Sequence, residues 1–142
     1  MAVPINVGAL IGGGMRLVWV AIIALGLAAC GQPVRWQKVD GPYLIVAVDA
    51  DDQTNVSYDL GDGGGAVGRI PSRVIAVSHS ADFVTAEVRP SGEHASAEFY
   101  YIIRRLDGVS VDPSVSVRGP LGATAFEQER SRLGLPLPKP ID

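Results

Sequence analysis

The residues able to do chemistry are few. Cys30 is the single cysteine, His79 and His94 are the two histidines, and carboxylates gather at Asp49, Asp51, Asp52 and Asp59. A disulfide needs a second thiol, and a zinc site built on two histidines would need carboxylates to complete it. Read as a calcium loop starting at Asp49, the acidic run has Thr54 where a glycine is needed and Leu60 where the bidentate glutamate belongs. Solvated turn carboxylates are therefore expected, with an irregular divalent-cation site as the alternative. His79 lies in Ser78-His79-Ser80-Ala81-Asp82, but neighbours on one tight turn cannot all converge on one nucleophile. Gly63-x-Gly65-x-x-Gly68 has the spacing of a dinucleotide fingerprint. That motif works by placing a pyrophosphate on a helix N-terminus, whereas Arg69-Ile70-Pro71 follows here, so a loop between strands is expected. Tyr100, Tyr101, Arg104 and Arg105 are of types enriched at binding hot spots and form the candidate partner surface, although they are equally ordinary strand residues. No set of residues points to catalysis, a cofactor or a metal, and the chain is expected not to be an enzyme.

The elements that must position these residues are mostly strands. Residues 43–50, 54–60, 74–79, 83–89 and 97–106 are rich in β-branched and aromatic side chains and are bounded by turn-formers. Val84, Ala86 and Val88 alternate with Thr85, Glu87 and Arg89, which predicts a half-buried strand. The apolar centre of 97–106 predicts a central strand covered on both faces. Short connections in sequence order predict an antiparallel meander or partly open barrel of five to six strands, since parallel crossovers need a dozen or more residues. The helical candidate is 123–133, with Thr124 and Glu127 at capping-box spacing, Gly134 at the C-cap and Pro136 beyond it. Its apolar stripe of Ala125, Phe126 and Leu133 is narrow, so it must lie on the sheet. The fold class is thus mainly β, α+β, with one C-terminal helix, and the Pro-rich tail 135–142 is expected to be extended.

Charge is distributed unevenly along the 142 residues. Arg16 is the sole charge before Cys30, while eleven basic and fifteen acidic residues follow it, leaving a mildly acidic remainder that excludes nucleic acid as the expected partner. Leu17 to Ala29 is a run of thirteen apolar residues, shorter than the ~20 that span a bilayer and of the length of a signal-peptide core. An uncleaved anchor over residues 5–29 is the alternative, and it would bury Gly12-Gly13-Gly14 and Arg16 within the span.

Leu27-Ala28-Ala29-Cys30, following Met15-Arg16 and the apolar run, resembles the lipobox of bacterial lipoprotein precursors at all four positions. The resemblance implies cleavage between Ala29 and Cys30, a diacylglyceryl group on the cysteine sulfur and acylation, for example by palmitate, of the new amino terminus. Gly31 stands where an Asp favours inner-membrane retention in enterobacterial lipoproteins, which implies the outer membrane facing the periplasm in a Gram-negative cell. The stretch 98–108 and the stretch 119–136, with Gly119-Pro120-Leu121 and Leu133-Gly134-Leu135-Pro136, resemble the closing part of small bacterial lipoproteins whose domain carries no assigned activity.

Four segments are therefore expected. Residues 1–29 are the signal peptide, with Met15 as the start and 1–14 untranslated. Residues 30–41 are the lipidated cysteine and a tether reaching about 35 Å at ~3.3–3.6 Å per residue. Residues 42–134 are the β domain, and 135–142 the tail. Arg35, Trp36 and Lys38 have the chemistry of residues that rest on a bilayer interface, or Trp36 packs on the domain's edge. The function expected is that of a lipid-anchored envelope component that binds or assembles without catalysis, held to the membrane through Cys30 and open to an envelope protein partner. The alternatives are a metal-dependent envelope hydrolase using Asp49, Asp51, His79 or His94, and a lysozyme-inhibitor-like lipoprotein, whose Ser-Gly-Tyr signature and disulfide are missing here.

Overall fold

The computed structural model describes residues 34–48, 53–71 and 73–142. Leu27 to Cys30, and Asp49, Asp51 and Asp52, lie outside the described residues. Two antiparallel sheets form the domain. The first has β1 (Arg35–Asp40), β2 (Tyr43–Ala47), β3 (Thr54–Asp59) and β4 (Ala66–Ile70) in sequence order. The second contains β5 (Val74–His79), β6 (Phe83–Val88), β7 (Glu98–Ile103), β8 (Val117–Leu121) and β9 (Lys139–Pro140), in the order β8-β7-β6-β5-β9. Helix α1 (Pro113–Ser116) is a single turn and α2 (Ala123–Leu133) is the C-terminal helix.

Both sheets obey the alternation in the sequence. Tyr43, Ile45, Val56 and Ile70 of the first meet Val74, Val77, Val84, Ala86, Val88, Tyr100 and Ile102 of the second in one buried core. The opposite face of the second sheet carries Phe83, Phe99, Tyr101 and Ile103, which pack with Leu121 against Phe126, Leu133 and Leu135. Strand β7 is therefore covered on both faces, as its continuous apolar centre requires. The Phe99 and Phe126 rings stack at 4.7 Å with 14° between their planes, and Phe83 meets Tyr101 edge-on at 6.1 Å. Those ring contacts give a helix with a narrow apolar stripe enough buried surface to stay on the sheet.

Three local readings change. The N-cap of α2 is Gly122, with no side-chain cap, and Thr124 sits inside the helix lining its outward face, so the Thr124–Glu127 spacing is not a capping box. Glu127 instead takes two hydrogen bonds from Arg130 at 2.8 Å. The stretch 35–40 is an edge strand rather than tether, because its register with β2, Trp36 opposite Val46 and Gln37 opposite Ile45, satisfies its backbone. The tail is built into the fold: Leu135 is buried, Pro136 O accepts from Thr85 Oγ1 at 2.9 Å, and β9 pairs with β5. At the other end of α2, Gly134 does take the left-handed C-cap conformation, and its N–H reaches Arg130 O at 2.8 Å.

Candidate functional site

The best organised polar group joins β4 to the segment after β7, and sequence reading did not single out its members. Arg69 and Asp107 form an ion pair whose side chains are both 0% exposed. Arg69 Nε donates to both carboxylate oxygens of Asp107, at 2.9 and 3.0 Å, and Nη2 donates to Gly108 O at 2.8 Å. Asp107 also accepts from the Tyr43 hydroxyl at 3.1 Å, the Ser116 hydroxyl at 3.1 Å and the Gly108 N–H at 3.0 Å. The Arg69 guanidinium lies 5.1 Å from the centre of the Tyr58 ring.

Local structure puts these groups together. A bulge in the β3–β4 pairing separates Val56↔Ile70 from Ser57↔Gly68, which leaves Arg69 between the two ladder positions. A 3-10 turn over Arg104–Leu106 ends β7 and delivers Asp107. Asp112 then starts α1, accepting the Ser114 N–H at 2.8 Å, and α1 ends on the buried Ser116. In the sequence, Arg69 follows a glycine-rich stretch and Asp107 precedes a Gly, and the two stand 38 positions apart, so no local pattern marks them as a pair.

Chemically this group is a latch. Every oxygen of Asp107 is already hydrogen-bonded, and among the described residues no buried side-chain nitrogen or oxygen lacks a partner. Burial, and then the Asp107 charge, push the Tyr43 hydroxyl well above the ordinary tyrosine range, so it stays protonated and donates. A saturated, charge-neutral cluster of this kind orients backbone segments and has no open position for a substrate.

A second polar group lies at the β1–β2 hairpin. Arg104 Nη1 is 2.7 Å from Asp40 Oδ2 and donates to Ser80 O at 2.6 Å, while its guanidinium lies 5.6 Å from the Tyr43 ring centre. It thus ties the hairpin of the first sheet to the β5–β6 turn of the second. The hydrogen bond from Arg104 holds the Asp40 carboxyl below its ordinary range. His79 Nδ1 is 3.8 Å from Asp40 Oδ2, too long for a hydrogen bond, and Ser80 Oγ accepts the Phe83 N–H at 3.2 Å.

The residues picked from the sequence separate. Tyr100 and Tyr101 are 8% and 5% exposed and point to opposite faces of β7, one into each apolar layer. Their hydroxyls are spent on Glu98 at 3.2 Å and Glu129 at 3.0 Å. Arg104 is occupied as above, and Arg105 alone of the four is exposed. Gly63, Gly65 and Gly68 belong to the β3–β4 turn and to β4, with no helix following, which removes the phosphate-cradling geometry. Asp59 accepts the Gly61 N–H at 2.9 Å, as a turn carboxylate does. Among the described residues no three His, Cys, Asp or Glu side chains are grouped to hold a metal ion.

Among the clefts that open on the surface of the described residues, two lie at the ends of the sheets. One, of about 630 Å³, lies between the start of β1 and the C-terminal residues and is lined by Arg35, Trp36, Gln37, Ile45, Thr54 and Ile141. The other, of about 430 Å³, is lined by Gln53, Pro71, Arg73, Val88 and Glu98. Neither contains the latch or the histidines. Among the described residues no helix is long and apolar enough to cross a membrane. Comparison with protein-family models, with curated proteins and with solved structures finds no match for the chain.

Proposed function

We propose that the chain is a lipid-anchored protein of the bacterial cell envelope whose β domain binds or assembles with another envelope component and performs no catalysis. The observation that carries this reading is Leu27-Ala28-Ala29-Cys30, preceded by Arg16 and thirteen apolar residues and followed within a few residues by a folded domain. A single cysteine is the number expected of a lipidated first residue. Two or three acyl chains, each contributing ~0.8 kcal/mol per buried CH₂, hold such a domain at the membrane far more firmly than one chain does. Internal satisfaction of the Arg69–Asp107 cluster and the burial of both β7 tyrosines are consistent with a scaffold whose polar interior serves its own architecture. Recognition then falls to the surface, where Arg105 and the 630 Å³ cleft beside β1 are open to a ligand.

Metabolic labelling with palmitate tests the anchor. The wild type is expected to incorporate label and fractionate with membranes, and Cys30→Ala to do neither; equal labelling of both sinks the reading. The assembly half is tested by affinity isolation after mild solubilisation, comparing wild type with Arg105→Glu. A specific partner lost from the variant supports it, and identical recoveries from both place recognition elsewhere than on Arg105.

A further inference from the structure

The register of β1 and β2 assembles an apolar corner that the domain leaves in water. Arg35 pairs with Ala47 and Trp36 with Val46, so continuing the ladder by one residue brings Val34 beside Val48. Residues of equal parity share a face. Ile45 and Tyr43 face the core, so Val34, Trp36, Val46 and Val48 lie on the outward face of the first sheet. Val34, Trp36 and Val48 are 46%, 50% and 37% exposed. Three of the large exposed apolar side chains of the described residues therefore stand together, at the N-terminal end of β1. Lys38, also outward and exposed, lies opposite Leu44 on the same face.

The geometry points to this corner as a membrane-docking surface: Val34, Trp36 and Val48 enter the headgroup layer of the phospholipid bilayer that holds the anchor, with Lys38 at its rim. The inference rests on lipidation of Cys30. Val34 is four steps along the chain from Cys30, which at ~3.3–3.6 Å each is at most ~14 Å. A headgroup layer is itself about 5–8 Å thick per leaflet. An acylated Cys30 at the base of that layer thus keeps the corner at or just above it. Because β1 begins at Arg35, the ~35 Å reach read from the sequence shrinks to this short leash.

The corner's size and chemistry also select a bilayer over a protein. Half-exposed Trp36 with two partly exposed valines offers roughly 250 Å² of apolar surface, against about 800 Å² per partner in a stable protein interface. A bilayer asks for no complementary shape, and its interface favours tryptophan rings and lysine side chains.

Trp36 reports on its own surroundings. Of the two tryptophans, Trp19 precedes the Ala29–Cys30 cleavage point, so Trp36 is the sole tryptophan of the processed product. The processed protein is purified from membranes, the mass of its N-terminal peptide establishes whether Cys30 is acylated, and it is reconstituted into phosphatidylethanolamine–phosphatidylglycerol vesicles with and without dibrominated acyl chains. Because an interfacial side chain sits within ~5–10 Å of the acyl boundary, the brominated chains are expected to quench Trp36 about twofold or more. The double variant Val34→Glu/Val48→Glu, with an unchanged circular dichroism spectrum, is expected to lose most of that quenching. Acylated Cys30 with Trp36 unquenched, whether water-exposed or shielded by protein, overturns the docking and leaves the anchor standing. Quenching that the glutamates do not reduce overturns it as well. An unacylated Cys30 overturns the anchor and the docking together.

Discussion

Replacing Arg69 by Met tests whether the buried latch holds the domain's two halves in register. Methionine matches the aliphatic stem of arginine but withdraws its hydrogen bonds: two to Asp107, one to Gly108 O and a long one of 3.5 Å to Gly68 O. Asp107 keeps the Tyr43 and Ser116 hydroxyls and the Gly108 N–H, yet its negative charge is left 0% exposed without a counter-charge. Breaking a buried pair from one side costs about 3–5 kcal/mol. A domain of about a hundred residues has a total stability of only ~5–15 kcal/mol, so roughly a fifth or more of it is at stake. At roughly 4 °C per kcal/mol for this size, Tm should fall by about 12–20 °C.

The companion measurement separates charge from packing. Arg69→Met/Asp107→Asn removes both charges; Asn Oδ1 in the place of the Asp107 Oδ1 still accepts from Ser116 and the Gly108 N–H, and its amide NH2, in the place of Oδ2, donates to the Tyr43 hydroxyl, so the double variant should be more stable than Arg69→Met alone. Thermal and urea denaturation followed by circular dichroism, with an unchanged m-value as the control for the unfolded state, give both numbers. A fall in Tm of less than about 5 °C for Arg69→Met, well short of the value expected of a broken buried pair, would refute the reasoning. So would a double variant whose loss equals the sum of the single losses.

Three further outcomes are expected. Gly119→Ala should destabilise by about 3 kcal/mol, combining a disfavoured backbone conformation with overpacking. Gly119 has φ +137° and a Cβ there would lie 2.8 Å from Phe99 O and 2.5 Å from Tyr100 Cδ1; a Tm within a degree of wild type would contradict this. Phe126→Ala should cost about 3–5 kcal/mol, since the ring is 2% exposed and stacked on Phe99 at the centre of the layer under α2. Hydrogen exchange should show α2 losing protection before β6 and β7. On the alkaline side, Tyr43, Tyr100 and Tyr101 all have hydroxyls raised above the ordinary value of 10, chiefly by burial. The unfolded chain releases those protons near pH 10 and the native state only higher, so stability is full below that pH and declines above it. Urea midpoints at pH 8, 9.5 and 11 should be flat across the first interval and drop across the second; a midpoint that holds to pH 11 would be inconsistent with three retained tyrosine protons.

Much of the architecture was legible because it follows from period and punctuation. Alternation set the inward face of β6 at Val84, Ala86 and Val88, the unbroken apolar centre of β7 called for cover on both sides, and Gly134-Leu135-Pro136 marked the end of α2. What escaped were elements made of polar or proline-containing residues. Strand β1 is Arg-Trp-Gln-Lys-Val-Asp and β8 is Val-Arg-Gly-Pro-Leu, both short on apolar alternation and held in place by ladder hydrogen bonds to a neighbour. Strand β9 exists because β5 presents an unpaired edge that the returning tail can fill. None of this is local information.

The same division holds for the residues of interest. The resemblance of Leu27 to Cys30 to a lipobox, with Arg16 and the apolar run before it, is read directly from the chain, because it lies in residue types in linear order. The roles of Tyr100, Tyr101, Arg104 and Arg69 were decided by tertiary structure. Strand pairing turned the two tyrosines into opposite apolar layers, a bulge in β4 directed a surface-looking arginine inward onto Asp107, and the hairpin of β1 and β2 gathered Val34, Trp36 and Val48 from two stretches of chain. Which side chains stay in water depends on pairing partners far apart in sequence, and that is set by the free energy of burying both sheets at once.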